Sequence, residues 1–193
     1  MIPRNLAITI VILLAALAAM GLYGLHLRRQ ALELLKTNAV TKPVAPPVSG
    51  PTEQVTMFLP DDDHGTMTQR AVAAALPSEP TLRAREVLHV LITQWQEKDS
   101  THPISSNADV KEVFLVDSGR TAVVDVNAAF ADEHRSGVMV EELTMAALAR
   151  TLGANISGVQ QMKLLVEGRE RETLAGHADL MDFYPTNLDW KTD

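Results

Sequence analysis

The pattern of apolar and polar positions separates one long apolar run from the rest of the chain. Between Arg4 and Arg28 no residue carries a permanent charge, and the run shows no polar face. A helix of about 23 residues at about 1.5 Å each spans roughly 34 Å, enough to cross a hydrocarbon core of about 30 Å. The run therefore predicts a transmembrane anchor over residues 5–27, preceded by a short flank of residues 1–4.

A cleaved signal peptide is the alternative interpretation of the same run. Ala16 and Ala18 fit a cleavage site of small residues. The run continues to Leu25, however, whereas the apolar part of a signal peptide has about 7–15 residues, so the length favours an uncleaved anchor. A lipid-modified amino terminus is excluded, because the sequence has no cysteine to acylate.

After the anchor, the pattern predicts a linker and then one folded domain. Residues 28–53 begin with a short amphipathic stretch that continues the helix and then become rich in proline. Proline lacks an N–H donor and disfavours helix at the preceding residue, so this part predicts an extended tether. Residues 54–193 have the length of a single domain.

Short apolar segments in the domain predict strands. Gln54–Leu59 is one, and Met67–Leu76, closed by Pro77, is an ambiguous segment that we interpret as an uncertain second strand. Lys111–Val116 and Arg120–Val126 predict a hairpin, and Val159–Val166 predicts a further strand. A two-residue turn in the hairpin, at Ser118-Gly119, would place Asp117 opposite Arg120 as a cross-strand ion pair.

Two segments have helical periodicity. The first follows Ser78, a predicted N-cap, and places an apolar residue on one face at every turn: Ala84, Val87, Leu88, Leu91, Ile92 and Trp95. The second covers Val138–Leu152, with Glu141 and Glu142 near its positive end and Gly153 as its stop. Its apolar residues occupy most of the circumference, which predicts deep burial. Asn127 is predicted to cap a short turn around Phe130.

The order of these elements predicts an α+β fold, in which a mixed β-sheet packs on two helices. The net charge of the domain then limits the kinds of partner it can bind. Residues 1–53 have a net charge of +3, which leaves −10 for residues 54–193 because the whole chain carries −7. An acidic surface repels phosphate backbones, so nucleic acid is not an expected partner.

Candidate chemistry concentrates in one acidic turn. A metal site would draw its ligands from Asp61, Asp63 and His64, joined by His177 and Asp179 if the two segments pack together. The alternative is a solvated turn whose carboxylates accept local backbone N–H groups. The turn lacks the spacing of a calcium-binding loop, so we predict no metal and no cofactor.

Other polar residues are predicted to be structural. His177 alone is expected to serve as a hydrogen-bonding histidine, Asp125 to lie on a solvent or helix-capping side, and His89 to be exposed. The chain has no cysteine nucleophile, no G-x-S-x-G elbow and no glycine-rich phosphate loop. The sequence therefore predicts no catalytic residue and no enzyme.

Four segments carry a family resemblance, and in chain order they are Val55–Asp63, Pro80–Ile92, Glu112–Phe130 and Glu172–Leu180. The most specific is the last, ETLAGHADL, which follows the strand VQQMKLLV. Together these segments resemble the GerMN domain of sporulation and spore-germination proteins. The resemblance covers nearly all of the predicted domain. It implies a non-catalytic extracytoplasmic module with a fold similar to the ring-building motif of sporulation and secretion complexes.

The resemblance and the anchor together predict a function. We expect a single-pass protein of the bacterial cytoplasmic membrane whose domain lies outside the cytoplasm and acts as an assembly module. Its partners would be envelope proteins, including other copies of itself. A peptidoglycan-binding or wall-hydrolase regulatory module is the second hypothesis, with Trp95 and Trp190 as its support, and a metal-dependent hydrolase is the third. Positive charges after the anchor favour the opposite orientation, and the resemblance outweighs them.

Overall fold

The computed structural model describes residues 50–188. The predicted anchor over residues 5–27, residues 28–49 of the tether and Trp190 lie outside the described residues. Between residues 50 and 188, no helix combines the length and the apolar character needed to cross a membrane.

The domain begins with a long two-stranded hairpin. Strand β1 (Thr52–Asp61) pairs antiparallel with β2 (Thr66–Ala75) through ten consecutive residue pairs. This confirms the strand predicted at Gln54–Leu59 and identifies the ambiguous second segment as a strand. β1 begins at Thr52, before the predicted boundary at residue 54, because the pairing with β2 extends to the amino-terminal end of β1. Just beyond that end, the Leu76 N–H donates to the Pro51 carbonyl at 3.1 Å.

Helix α1 (Pro80–Trp95) follows, and all six residues of its predicted apolar stripe are buried. The predicted cap, Ser78, is wrong. The carboxylate of Glu79 instead accepts the N–H groups of Thr81 and Leu82, at 3.0 and 2.6 Å. Glu79 is therefore the N-cap residue, with Pro80 at the first helical position, where its missing N–H costs nothing.

The main sheet has four strands in the order β3-β4-β5-β6. These are β3 (Val110–Val116), β4 (Thr121–Val126), β5 (Gln161–Val166) and the short β6 (Tyr184–Pro185). β4 and β5 are parallel and the other pairs are antiparallel, so the predicted mixed sheet is confirmed.

The β3–β4 turn differs from its prediction. The last strand pair is Val116 with Thr121, which leaves four residues in the loop instead of two. Asp117, Ser118 and Gly119 all have positive φ angles, of 53°, 57° and 84°. Asp117 and Arg120 do form an ion pair, at 2.9 Å, but within the turn and not across the strands.

Two helices connect the parallel strands β4 and β5. Helix α2 (Ala128–Asp132) is capped by Asn127, whose side chain accepts the Phe130 N–H at 3.1 Å, as predicted. Helix α3 (Val138–Asn155) has ten buried residues, which confirms its predicted deep burial. α3 runs past Gly153, so the predicted stop is wrong. A Cβ at residue 153 would lie 2.5 Å from the Cβ of Thr186, so the glycine allows close approach of the chain after β6.

The hairpin and the main sheet remain separate because α3 occupies the outer edge of β1. The Asn155 side chain accepts the Thr56 N–H at 2.9 Å and donates to the Thr56 carbonyl at 2.7 Å. The Thr151 hydroxyl accepts the Phe58 N–H at 3.2 Å. Helix α3 packs on β1, α1 packs on β3, and the two helices pack on each other. The single sheet predicted from the sequence is therefore two sheets around one core.

Candidate functional site: two buried polar clusters and an apolar sheet face

The acidic turn after β1 is organised by one of its own carboxylates. Asp61 Oδ1 accepts the N–H groups of Asp63 and His64, both at 3.0 Å, and Oδ2 lies 3.0 Å from His64 Nδ1. These hydrogen bonds, the imidazole contact first, lower the pKa of Asp61. The geometry is that of the local turn considered as the alternative to a metal site.

The next carboxylate, Asp62, points into the core. Its side chain is only 3% exposed, with Oδ1 2.6 Å from His102 Nδ1 and Oδ2 2.8 Å from Arg135 Nη1. His102 is also buried and packs edge-on against Trp95, with ring centroids 4.8 Å apart. Because a buried carboxylate without hydrogen-bond partners is costly, these two contacts hold Asp62 in the interior.

The contacts of His102 extend to helix α3. His102 Nε2 lies 2.9 Å from the Thr144 hydroxyl, which lies 2.8 Å from His134 Nε2. His134 Nδ1 lies 2.8 Å from the Arg135 carbonyl, and burial lowers the pKa of His134. We call Asp62, His102, Thr144 and His134 the Asp62 cluster.

The Asp62 cluster has the carboxylate–imidazole–hydroxyl order of a nucleophilic triad, but its position is structural. Thr144 is fully buried and lies in the middle of a helix, and its hydroxyl is also 2.9 Å from the Val140 carbonyl. A substrate would have to enter the core to reach it. The cluster therefore joins the β1–β2 turn, the loop after α1 and helix α3.

A second cluster surrounds Glu141 in the first turn of α3, and we call it the Glu141 cluster. Glu141 Oε2 accepts the N–H groups of Ala175, His177 and Ala178 at 2.9–3.0 Å. Its Oε1 accepts the Gly137 N–H at 3.1 Å and lies 2.9 Å from His177 Nδ1. This fully buried carboxylate thus fixes the loop that carries the LAGH part of the ETLAGHADL segment.

The charge on Glu141 is maintained by these contacts. Burial alone would raise the pKa of Glu141, but the His177 imidazole and the backbone N–H groups of Ala175, Ala178 and Gly137 outweigh it and lower the pKa to about 2. The sequence predicts only that Glu141 lies near the positive end of the helix. The hydrogen bonds to the loop cannot be predicted from local pattern, because their partners lie more than 30 residues later in the chain.

The structure does not assemble the five candidate metal ligands into one group. His177 binds Glu141, and Asp179 Oδ1 accepts the Met181 N–H at 2.7 Å. Asp61 binds its own turn. Within residues 50–188, no three His, Asp or Glu side chains are arranged to hold a metal ion.

Two other sequence predictions need correction or detail. Asp125 is not on a solvent side; it is buried, and its Oδ1 accepts the Gly168 N–H at 2.6 Å. Asp125 therefore holds the turn after β5 and not the end of a helix. His89 is partly exposed as predicted, but Nδ1 also lies 3.1 Å from Asp109 Oδ1, which raises the pKa of His89.

The outer face of the main sheet is open and carries large apolar side chains beside the polar side chains of Thr121, Gln161 and Lys163. Strand alternation places Phe114, Val116, Val123 and Leu165 on this face, and the segment before β6 adds Met181 and Phe183. We call these six residues the apolar sheet face. Four of them are about half exposed: Phe114 51%, Val116 43%, Met181 47% and Phe183 52%. An open hollow of about 570 Å³ lies on this face, and Lys163 is one of the residues that line it.

Lys163 does not offer a free charge to the hollow. Its ammonium group donates to the Met181 carbonyl, lies 3.3 Å from Glu170 Oε1 and sits 5.6 Å from the centre of the Phe183 ring. The face is therefore defined by its large apolar side chains.

The fold and these clusters together define a small α+β domain whose buried polar groups hold loops in place. The Germane family model, described as sporulation and spore germination, matches residues 56–172, more than half of the chain. The chain therefore belongs to the Germane family, which confirms the resemblance to GerMN domains.

One solved structure supports the fold, and two others are only similar to this chain. The first GerMN domain of the sporulation protein GerM from Bacillus subtilis is 17% identical with a TM-score of 0.51, covering 72% of this chain and 100% of that chain. The tandem GerMN domains of the same protein are 17% identical with a TM-score of 0.49, covering 68% of this chain and 45% of that chain. A Clostridium perfringens chain described as a lipoprotein is 13% identical with a TM-score of 0.47, covering 72% and 89%. None of the curated proteins matches significantly.

Proposed function

We propose that this chain is a non-enzymatic assembly module of the bacterial envelope, anchored in the cytoplasmic membrane through residues 5–27. Its domain lies outside the cytoplasm and binds another envelope protein through the apolar sheet face. The observation that carries the proposal is the group of four large apolar side chains, each 43–52% exposed, on one face. Contiguous exposed apolar surface of this kind is typical of protein-binding sites.

The composition of the face suits a protein partner. Phe114 and Phe183 are aromatic residues with large apolar area, and such residues dominate the binding energy at the centres of protein interfaces. Asp117 and Glu170 lie at the border of the hollow and supply polar contacts around the apolar centre. A segment that presents apolar side chains fits this arrangement best, because Asp117 and Glu170 already pair with Arg120 and Lys163.

The peptidoglycan hypothesis receives less support. Trp95 is 1% exposed and packs on His102, so it presents no ring face to a sugar. Trp190 lies outside the described residues. The metal-dependent hydrolase has no assembled ligand set among residues 50–188.

The proposal is tested by photo-crosslinking the full-length protein in its native membranes. A photoreactive phenylalanine replaces Phe183, and the matched control replaces Leu82, which is 50% exposed on α1. We expect a discrete crosslinked protein from position 183, at least about fivefold above position 82, and we expect Phe114→Asp to remove it. Equal crosslinking from the two positions, or a product that survives Phe114→Asp, would refute docking at this face.

A further inference from the structure

The edges of the two sheets are protected to very different degrees. The outer edge of β1 is satisfied by Asn155 and Thr151, as described above. The edge strand β3 carries charged Lys111 and Glu112 and a register shift between residues 110 and 112. Charges and bulges are the usual means by which proteins prevent edge strands from pairing with other chains.

Strand β2 has neither a bulge nor a proline. Its register with β1 is continuous from Thr66 to Ala75, and Arg70 is its only charged residue. The part from Thr68 to Ala73 is exposed apart from Val72, which is partly buried. Ala71, Ala73, Ala74 and Ala75 have small side chains that let a neighbouring backbone approach.

The pairing with β1 shows which backbone groups of β2 face outward. Thr56 directs both its N–H and its carbonyl away from β2, toward Asn155. Thr56 and Ala71 are therefore a non-hydrogen-bonded pair, in which Ala71 also directs its N–H and carbonyl outward. By strand alternation, Gln69 and Ala73 do the same. Within residues 50–188, no hydrogen bond to these three outward-facing pairs of groups is present.

We propose that this edge binds the same edge of a second copy of the chain. The two β2 strands run antiparallel about a two-fold axis at Ala71, so Ala71 pairs with Ala71, and Gln69 pairs with Ala73 of the other copy. Roughly six backbone hydrogen bonds would form, two for each of these pairs. The result is a continuous four-stranded sheet, β1-β2 of one copy followed by β2-β1 of the other.

The charge pattern of β2 is compatible with a second copy in this register. Arg70, the only charge on the strand, faces Val72 of the other copy. The two Arg70 side chains are diagonal neighbours about 7–8 Å apart, and both are exposed and can extend into water. A two-fold interface requires this kind of self-complementarity. Both copies would be held in one membrane by their anchors, which raises their effective concentration at the edge.

This inference goes beyond the proposed docking of another protein, and the two surfaces share no residue. Loss of the apolar sheet face by Phe183→Asp should leave the β2 pairing intact. If β2 pairing is not observed but the photo-crosslink from position 183 persists, only the present inference is wrong. If β2 pairing is observed but the photo-crosslink from position 183 is absent, only the proposed function is wrong.

The absence of native cysteine makes a register test possible. Single-cysteine variants of the full-length protein are oxidised in membranes with copper phenanthroline. Paired residues in this arrangement have Cα atoms about 5.5 Å apart, within disulfide range. Ala71→Cys should form disulfide-linked dimers at least about fivefold above Leu82→Cys, the exposed control on α1.

The neighbouring positions test the register itself. Gln69→Cys alone should dimerise poorly, because its counterpart would lie about four residues, roughly 13 Å, along the strand. Mixing Gln69→Cys with Ala73→Cys should restore the crosslink. Dimers from Ala71→Cys no more abundant than from Leu82→Cys, equal dimers from Gln69→Cys alone, or a bond to a different protein would overturn the inference.

Two proline substitutions distinguish loss of the dimer from loss of the fold. Ala71→Pro removes an outward N–H and leaves the ladder to β1 intact, so the domain should keep its melting temperature within a few degrees and lose amine-crosslinked dimer. Val72→Pro removes an N–H that faces Val55 and should destabilise the hairpin. Unchanged dimer in a folded Ala71→Pro protein would contradict the β2 pairing.

Discussion

Replacing Glu141 with Gln is expected to lower the free energy of unfolding by roughly 3–4 kcal/mol, since breaking a buried, hydrogen-bonded charge costs about this much. The carboxylate accepts four backbone N–H groups and contacts the His177 imidazole. A glutamine amide would direct its own N–H groups at some of these donors. Urea unfolding measures the loss, and Glu142→Gln, the exposed neighbour, is the matched control.

The same carboxylate predicts how stability depends on pH. The pKa of Glu141 is about 2 in the folded protein, against an ordinary value of 4.5. A lowered folded pKa gives stability that is fully present above about pH 4.5 and is lost as the pH falls toward about 2. The Glu141→Gln protein should lose less stability over this range than the wild type. An equally steep acid loss in both proteins, or equal stability of Glu141→Gln and Glu142→Gln, would show that the cluster does not hold the loop.

Replacing Asp62 with Ala is expected to cost about 3 kcal/mol. The change leaves the buried His102 without its Nδ1 partner, and a buried polar group without a partner carries its full desolvation cost. Loss of the contact with Arg135 adds little to this cost, because the Arg135 side chain is 55% exposed and remains hydrated.

The neighbouring aspartates supply the controls for this change. Asp62→Asn keeps an oxygen for His102 and should cost less than Asp62→Ala. Asp63→Ala alters an exposed side chain of the same turn and should be nearly neutral. Thermal and urea unfolding check the order of the three variants. If the Asp62→Ala protein is no less stable than the Asp63→Ala protein, the Asp62 cluster does not support the core.

Periodic segments were the part of the fold that the sequence predicted well. The stripe of α1 needs only local spacing, and the apolar circumference of α3 predicts burial whatever surrounds it. The segment of β2 gave only an uncertain strand, because its alanines favour no strand by themselves and the pairing with β1 decides its structure. The separation into two sheets depends on Asn155 and Thr151, whose partners lie more than 90 residues away.

The polar clusters could not be predicted for a similar reason. Asp61, Asp62 and Asp63 are chemically identical in sequence, yet only the middle one points into the core and meets His102. The hydrogen bonds of Asp61 could be predicted, because they reach only the next few residues of the same turn. The ring-building likeness, the membrane orientation and the partner stay predictions.

The size of the protein's native membrane complex is the most direct test of docking at the apolar sheet face. Gently solubilised membranes are compared for the wild type, a Phe114→Asp/Phe183→Asp variant and a Leu82→Asp control. We expect the wild type and the control to migrate together in a complex larger than two copies of the chain, and the double variant to migrate at two copies or fewer. A wild-type protein no larger than the double variant would contradict an assembly role for this face.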